Sequence, residues 1–363
     1  MTPAVKLAVV RDDARAAQAA SDAWAASEAA REPLAAREVD RHRVRLVVIG
    51  AAPRLERFAA LPELLRRGDL VVVNDAATLP ASLPGRTEDG RGFELRLSGP
   101  IDAGRLFGVL LGAGDHRTRT ELRGAPPPVA AGERVTVAGL PATVASAAGR
   151  RVELVVRADA DALWQALYAA GAPVQYAHRP APLALWSVQT GYAGRPWAAE
   201  MPSAGRPLTW DTMLGLTRAG VALASLTHAA GLSSTGDEGL DRALPWPERY
   251  EIPRRTVAAI AEARGRGGRV IAVGTSVVRA LEAAAEHGEL RAGSGTATVR
   301  LDASYRPRVV AGLVSGLHVP GESHFELLSA FAPVDQLRAG LALAAAHRLS
   351  SHELGDACLI VPA

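Results

Sequence analysis

The stretch RVIAVGTSVVRALE, residues 269–282, decides the fold class. The apolar run after Arg269 has the length and the β-branched composition of a buried strand. Gly274 then permits a tight turn, and the residues after it are typical of a helix. A buried strand that leads directly into a helix predicts a parallel sheet covered by helices.

The same alternation of strand and helix patterns recurs along most of the chain. Further strands are predicted at 44–49, 70–73, 221–226 and 309–317. Helices are predicted within the Ala-rich segment 12–38, as a turn at 61–65, and at 162–170, 209–219, 253–264, 277–286, 322–331 and 334–348. We therefore predict an α/β fold whose mainly parallel sheet is covered by helices.

Residues 79–156 follow a different pattern, in which short alternating segments are separated by glycine, proline and charged residues. Such spacing is typical of a small antiparallel barrel or sandwich. We expect it as an insertion between the parts of the α/β domain. The predicted division is 1–78 and 158–363 for the α/β catalytic domain and 79–157 for the inserted β-barrel.

Composition excludes several classes of protein. Apolar residues make up 48% of the 363 residues and the formal net charge is +3, which is ordinary for a folded globular protein. The single cysteine, Cys358, excludes an internal disulfide and any multi-thiolate metal site. The nine histidines are dispersed, so no metal is expected. No apolar run approaches the length of a membrane span, and the N-terminus lacks the basic-then-apolar pattern of a secretory signal, so we expect the cytoplasm. The oligomeric state stays open.

Candidate ligand-binding residues follow the predicted strands, where α/β sheets gather ligands. Gly274, Thr275 and Ser276 begin a helix that carries Arg279, and their amides and hydroxyls suit a carboxylate or a phosphate. The alternative role of the two hydroxyls is plain capping of the helix. Asn74 ends another strand and could bind a hydroxyl-bearing ligand or form an Asx turn.

Two histidines lie at strand ends as well. His228 is followed by the small residues of 229–236 and is the better candidate for a general base. His318 ends the strand 309–317, where an imidazole could give or take a proton. A flexible loop after His228 and a structural role for His318 are the alternatives. The sequence contains no G-x-G-x-x-G, Walker, H-E-x-x-H or nucleophile-elbow motif.

Taken in order, several motifs resemble those of the S-adenosylmethionine:tRNA ribosyltransferase-isomerase family of queuosine biosynthesis. They are LRRGDLVVVND (65–75), LPASLPG (79–85), QTGYA (189–193), PSAG (202–205), VGTSVVRALE (273–282), HVP (318–320), SAF (329–331) and GDA (355–357). The resemblance extends from about residue 40 to the C-terminus, and residues 273–282 are its most specific part.

The resemblance implies an α/β domain with an inserted β-barrel and a reaction on tRNA. In that reaction the ribosyl part of S-adenosylmethionine moves to the aminomethyl group of 7-aminomethyl-7-deazaguanine in the anticodon, releasing adenine and methionine. No metal is implied. The implied catalytic residues are His228, Glu248 and His318; the cofactor-binding residues are Asn74, Gly274, Thr275, Ser276 and Arg279; and the substrate-binding residues are Gln189, Thr190, Ser203, Gly205 and Tyr250.

The chain departs from the family pattern on the acceptor side. Residues 74–78 read NDAAT instead of N-N-T-R-V, and Ser82 replaces a second arginine. The histidine of T-A-G-L-H-F-T is absent from 203–209, and residues 245–250 keep Glu248 and Tyr250 without the histidine of M-H-S-E-Y-Y. The alternatives are therefore a tRNA-modifying enzyme, an enzyme that uses S-adenosylmethionine with a small acceptor, and a binding protein without turnover.

Overall fold

The computed structural model describes residues 40–102, 104–177, 181–351 and 354–362. The helices predicted within 12–38 lie outside these residues. The strands are β1 (Arg45–Ile49), β2 (Arg54–Arg57), β3 (Leu70–Asn74), β4 (Ala76–Thr78), β5 (Ser82–Thr87), β6 (Gly92–Leu97), β7 (Arg105–Leu111), β8 (Arg134–Val137), β9 (Leu140–Ala148), β10 (Arg151–Val156), β11 (Arg195–Ala198), β12 (Ala222–His228), β13 (Glu248–Ile252), β14 (Val270–Val273), β15 (Gly293–Ala297), β16 (Gly312–Gly316) and β17 (Ala357–Ile360). The helices are α1 (Leu61–Leu64), α2 (Ala160–Ala170), α3 (Trp210–Arg218), α4 (Glu238–Arg242), α5 (Arg254–Gly265), α6 (Thr275–Ala284), α7 (Ser323–Leu328) and α8 (Val334–Ala346).

A nine-stranded sheet in the order β15-β13-β12-β3-β14-β16-β17-β1-β2 forms the larger unit. Its centre is parallel, from β12 through β3 and β14 to β16. Antiparallel pairs lie on both sides of this centre, so the complete sheet is mixed. The predicted α/β class is confirmed, and the carboxyl ends of four neighbouring strands point to one edge.

Successive side chains of the central strands point to opposite faces of the sheet, so an apolar core lies on each face. Leu70 and Val72 of β3 pack in a cluster with residues of α5, α6 and α8, whereas Val71 and Val73 pack with residues of α1 and α3. All residues of β3 and β14 are buried. Near-continuous apolar strands are expected where helices cover both faces.

The second unit is a closed antiparallel barrel in the order β10-β7-β6-β5-β8-β9. Inward side chains such as Leu83, Leu95 and Val109 fill it with an apolar core. Gly85 faces the ring of Phe93, where an added Cβ would lie 2.1 Å from a ring carbon, so the closed wall requires a glycine there. The predicted inserted barrel is confirmed, while the domain division at residues 78/79 and 157/158 stays a prediction.

Among the residues that the structure describes, no helix combines the length and the apolar character needed to cross a bilayer.

Candidate active site

The carboxyl ends of the parallel strands open into a cavity of about 710 Å³. One wall holds His228 at the end of β12 and the start of α6, and His318 lies beyond the end of β16. Residues 200–204 and part of the loop after His228 (residues 230–233) also line the cavity. Ligand pockets for small molecules have volumes of about 300 to 1,000 Å³, so this cavity is large enough for a nucleoside with a side chain.

The cavity brings together eight of the thirteen site residues predicted from the sequence. Those that line it are Ser203, His228, Glu248, Gly274, Thr275, Ser276, Arg279 and His318. Asn74, Gln189, Thr190, Gly205 and Tyr250 do not line it. The catalytic and binding roles of the eight stay predictions.

His228 is buried, and its imidazole ring faces the cavity. Among the described residues, neither ring nitrogen has a hydrogen-bond partner. Burial, and then the charge of Arg279, lower the pKa of His228 to about 3, so the ring is neutral near pH 7. The 3.5 Å contact between Nε2 and Glu248 Oε2 is therefore not an ion pair. A neutral ring offers one N–H donor and one acceptor nitrogen to a ligand.

Asn74 holds His228 from behind the cavity wall. Its Oδ1 accepts hydrogen bonds from the amides of His228 (2.9 Å) and Ala76 (3.1 Å). Its Nδ2 donates to the His228 carbonyl (2.9 Å) and to Ser276 Oγ (3.3 Å). The bond to Ala76 is the Asx turn that the sequence left open. Asn74 thus fixes the end of β12 and the start of α6, and its predicted contact with the cofactor stays a prediction.

Glu248 is the carboxylate closest to His228 in this wall. Its Oε2 pairs with Arg279 Nη1, and its Oε1 accepts a hydrogen bond from the Gly231 amide (2.5 Å). A carboxylate that accepts from a guanidinium and an amide is fixed in orientation. Glu248 is therefore held against His228 by two separate segments.

Arg279 lines the cavity, but most of its donors are engaged by the protein. Besides Glu248, it donates to the carbonyls of Ala297 (3.0 Å), Trp246 (3.3 Å) and Val299 (3.3 Å). Burial lowers its pKa to about 10, which leaves it cationic near neutral pH. Arg279 thus holds Glu248, and its predicted contact with the cofactor stays a prediction.

The first turn of α6 presents the positive end of a helix to the cavity. Gly274 is the N-cap residue, and no side chain caps the helix. Plain capping by Thr275 or Ser276 is therefore not what the structure shows. Gly274 has φ +95°, a conformation that favours glycine. An uncapped helix N-terminus suits a carboxylate or a phosphate.

His318 lies at the rim of the cavity. Its Nδ1 is 3.3 Å from Glu322 Oε2, and its ring stacks on His324 with centroids 4.7 Å apart. Its ring therefore has partners at the rim, and whether it transfers a proton stays a prediction.

The predicted substrate residues outside the cavity serve the surrounding structure. Gln189 exchanges two hydrogen bonds with the backbone of Thr78, each 2.9 Å long. Thr190 and Gly205 are buried, and the Tyr250 ring packs in the sheet core beside Gly295. None of these four residues lines the cavity, and whether they contribute to substrate binding stays a prediction.

Sequence reasoning assigned no role to several carboxylates of the cavity, among them Glu200 and Asp241. Glu200 is 8% exposed and lies two residues before the motif at 202–205. Its position beside this motif was the only feature of the sequence that could have indicated Glu200, since an isolated glutamate belongs to no distinctive pattern.

Comparison with known proteins identifies the family of the chain. The model of the family described as queuosine biosynthesis protein matches residues 24–360. S-adenosylmethionine:tRNA ribosyltransferase-isomerase of Synechococcus elongatus is 32% identical over 335 residues, covering 89% of this chain and 90% of that protein. The protein of the same name from Azoarcus sp. is 33% identical, covering 91% and 93% of the two chains.

Among solved structures, an S-adenosylmethionine tRNA ribosyltransferase from Thermotoga maritima aligns with a TM-score of 0.49 and 23% identity, over 89% of this chain and 94% of that chain. The family match and the relatives confirm the resemblance seen in the motifs. The chain belongs to the queuosine biosynthesis protein family.

Proposed function

We propose that the protein is a ribosyltransferase-isomerase that uses S-adenosylmethionine and acts on tRNA carrying 7-aminomethyl-7-deazaguanine. The observation that carries this proposal is the cavity itself. A buried neutral His228, a fixed Glu248 and an uncapped helix N-terminus face one space at the carboxyl edge of the parallel strands. The names of the relatives support the same reaction.

S-adenosylmethionine, the ribosyl donor, suits the residues that line the cavity. S-adenosylmethionine carries a carboxylate on its methionine part, which the amides at the start of α6 would bind. Its sulfonium acidifies the adjacent ribose carbon and makes methionine a leaving group. His228 and Glu248 are the groups in the buried wall that we propose accept and pass on that proton. Because this wall is largely buried, the electrostatic attraction between Glu248 and the positively charged sulfonium of S-adenosylmethionine is stronger there than in water.

The acceptor distinguishes the proposal from its closest alternative. Ser82 and the stretch 74–78 lack the guanidinium groups that the family pattern places there, which removes phosphate contacts from an RNA-binding surface. We nevertheless propose tRNA as the partner, because the family match and the relatives cover most of the chain. A cytoplasmic location belongs to the proposal, and the reaction needs no metal.

Release of adenine tests the function. The protein is incubated with S-adenosylmethionine and tRNA bearing the aminomethyl base, and adenine is measured by chromatography while the tRNA is analysed by mass spectrometry. We expect adenine and a tRNA that has gained a ribosyl-derived group, with neither product from unmodified tRNA. Adenine release with a free deazaguanine or a small amine, and none with the tRNA, would move the assignment to a small acceptor. No release with any acceptor would contradict turnover.

A further inference from the structure

The loop after His228 is held by three carboxylates that come from three different segments. The amides of Gly231, Ser233 and Thr235 donate to Glu248 (2.5 Å), Glu200 (2.7 Å) and Asp241 (2.7 Å). All three carboxylates line the cavity. The conformation of this wall therefore depends on acceptors outside the loop.

Glu200 makes the central contact of this set. Its Oε2 accepts from Ser233 Oγ (2.5 Å), and its Oε1 accepts from the Tyr176 hydroxyl as well as from the Ser233 amide. Tyr176 in turn accepts from the Ser234 amide (3.1 Å). Two consecutive residues of the loop are thus bound to one buried carboxylate and its tyrosine partner.

The inserted barrel supports this arrangement from the other side. The guanidinium of Arg96, which is almost fully buried in the barrel, lies 5.1 Å from the centre of the Tyr176 ring. Leu232, between the two anchored amides, is buried in the apolar core of the barrel. Displacing Ser233 would therefore also pull on Leu232 and on the Gly231 amide that binds Glu248.

We propose that Glu200 is a positioning residue for the reaction. By fixing Ser233 it keeps the Gly231 amide at Glu248 Oε1, so that the other carboxylate oxygen stays beside His228. This role rests on the proposed function. The competing role is direct contact with the acceptor, because Glu200 also lines the cavity.

The first test separates turnover from binding. Glu200→Ala removes the acceptor of two loop donors, and we expect kcat to fall about 10- to 100-fold, the size expected for a charge-assisted hydrogen bond. The Kd for S-adenosylmethionine should change less than about 3-fold, because Glu200 is proposed to act on Glu248 and not on the donor. Glu200→Gln keeps one carbonyl acceptor and should lie between the wild type and Glu200→Ala. A loss expressed only in the KM for the acceptor would overturn the positioning role.

A double-mutant cycle tests the route of the effect. In the background of Glu248→Gln, adding Glu200→Ala should lower kcat by less than about 2-fold, because the group that Glu200 positions is already gone. If the fold-losses in kcat of the two single variants multiply in the double variant, as they do for independent sites, the proposal is overturned. The exposed Glu238 supplies the matched control Glu238→Ala, which should leave kcat unchanged.

A measurement without turnover keeps the test independent of the reaction. Amide hydrogen exchange of the folded protein should show faster exchange at both Ser233 and Gly231 in Glu200→Ala. Faster exchange at Ser233 with wild-type protection at Gly231 would overturn the coupling. If the wild type releases no adenine with any acceptor, the proposed function fails, while the exchange result still decides whether Glu200 controls the contact between Gly231 and Glu248.

Discussion

His228 is a histidine buried without a hydrogen-bond partner among the described residues, in the wall of a cavity. Burying a polar ring without partners costs free energy, so such a group persists where another requirement outweighs stability. Asn74 binds both the amide and the carbonyl of this residue and so fixes its backbone beside the cavity. We infer that the ring nitrogens are kept for a ligand.

The burial of His228 predicts how stability depends on pH. The pKa of His228 is about 3 in the folded protein, whereas an ordinary histidine has a pKa of 6.5. Between these two pH values the unfolded chain binds the proton and the folded protein does not. The free energy of unfolding should therefore fall as pH falls through this window, by up to about 1.4 kcal/mol per pH unit. His228→Gln should flatten the dependence measured by urea unfolding between about pH 6 and pH 4. The exposed His287 gives the matched control His287→Gln, and equal slopes for both variants would contradict a buried neutral ring.

The pair of Arg279 and Glu248 predicts a large effect of truncation. Arg279→Ala leaves a buried carboxylate without its cation and should lower the free energy of unfolding by about 3–5 kcal/mol in denaturant titrations. Arg242→Ala breaks an exposed pair with Glu238 and should cost at most about 1 kcal/mol. Equal small losses would show that Arg279 does not hold Glu248 in solution.

At the scale of elements, the connection from β14 to α6 is the part on which the cavity depends. Gly274 turns the chain with a positive φ, and the helix begins without a side-chain cap. A Cβ at this position would lie 3.6 Å from its nearest neighbours, so space is not the obstacle. The backbone conformation is what requires glycine.

Substitution of this glycine should therefore be costly for a conformational reason. Gly274→Ala should lower the free energy of unfolding by about 1–3 kcal/mol and weaken the binding of S-adenosylmethionine. Gly265→Ala, at the end of α5 with open space around it, should change stability by less than about 1 kcal/mol. Unfolding titrations of both variants decide the point, and a loss at Gly274 no larger than that at Gly265 would contradict it.

At the scale of the whole molecule, the barrel contributes to the cavity wall. Leu232 follows the sheet strand β12 by only a few residues, yet its side chain is buried in the barrel core. The two units therefore share an apolar contact beside the cavity, and the loop cannot move without disturbing it.

Truncation of this contact should affect both stability and turnover. Leu232→Ala should lower the free energy of unfolding by about 2–5 kcal/mol and reduce the rate of adenine release. The control is Leu122→Ala at a residue that is 70% exposed, which should cost less than about 0.5 kcal/mol. Full activity in a destabilised Leu232→Ala protein would contradict the link between barrel and site.

Much of the fold was predictable because its central strands are short apolar runs rich in β-branched residues, which a sheet covered on both faces buries. The strands β13 (ERYEI) and β15 (GSGTA) were not predicted, since neither carries such a run and both lie at the margin of the sheet. Residues after strand ends were found because topology gathers them at one edge. The sequence could not show that Gln189 and Tyr250 lie outside the cavity, because a motif gives position in the chain and not the direction of a side chain.

The central claim is that S-adenosylmethionine binds in the cavity at the carboxyl edge of the sheet, and calorimetric titration tests it most directly. Wild-type protein should bind one S-adenosylmethionine per chain. Ser203→Trp, which puts a bulky indole in the lining of the cavity, should abolish the heat, while Leu214→Trp on the exposed face of α3 should bind as the wild type does. No heat with the wild type, or undiminished binding by Ser203→Trp, would contradict the account.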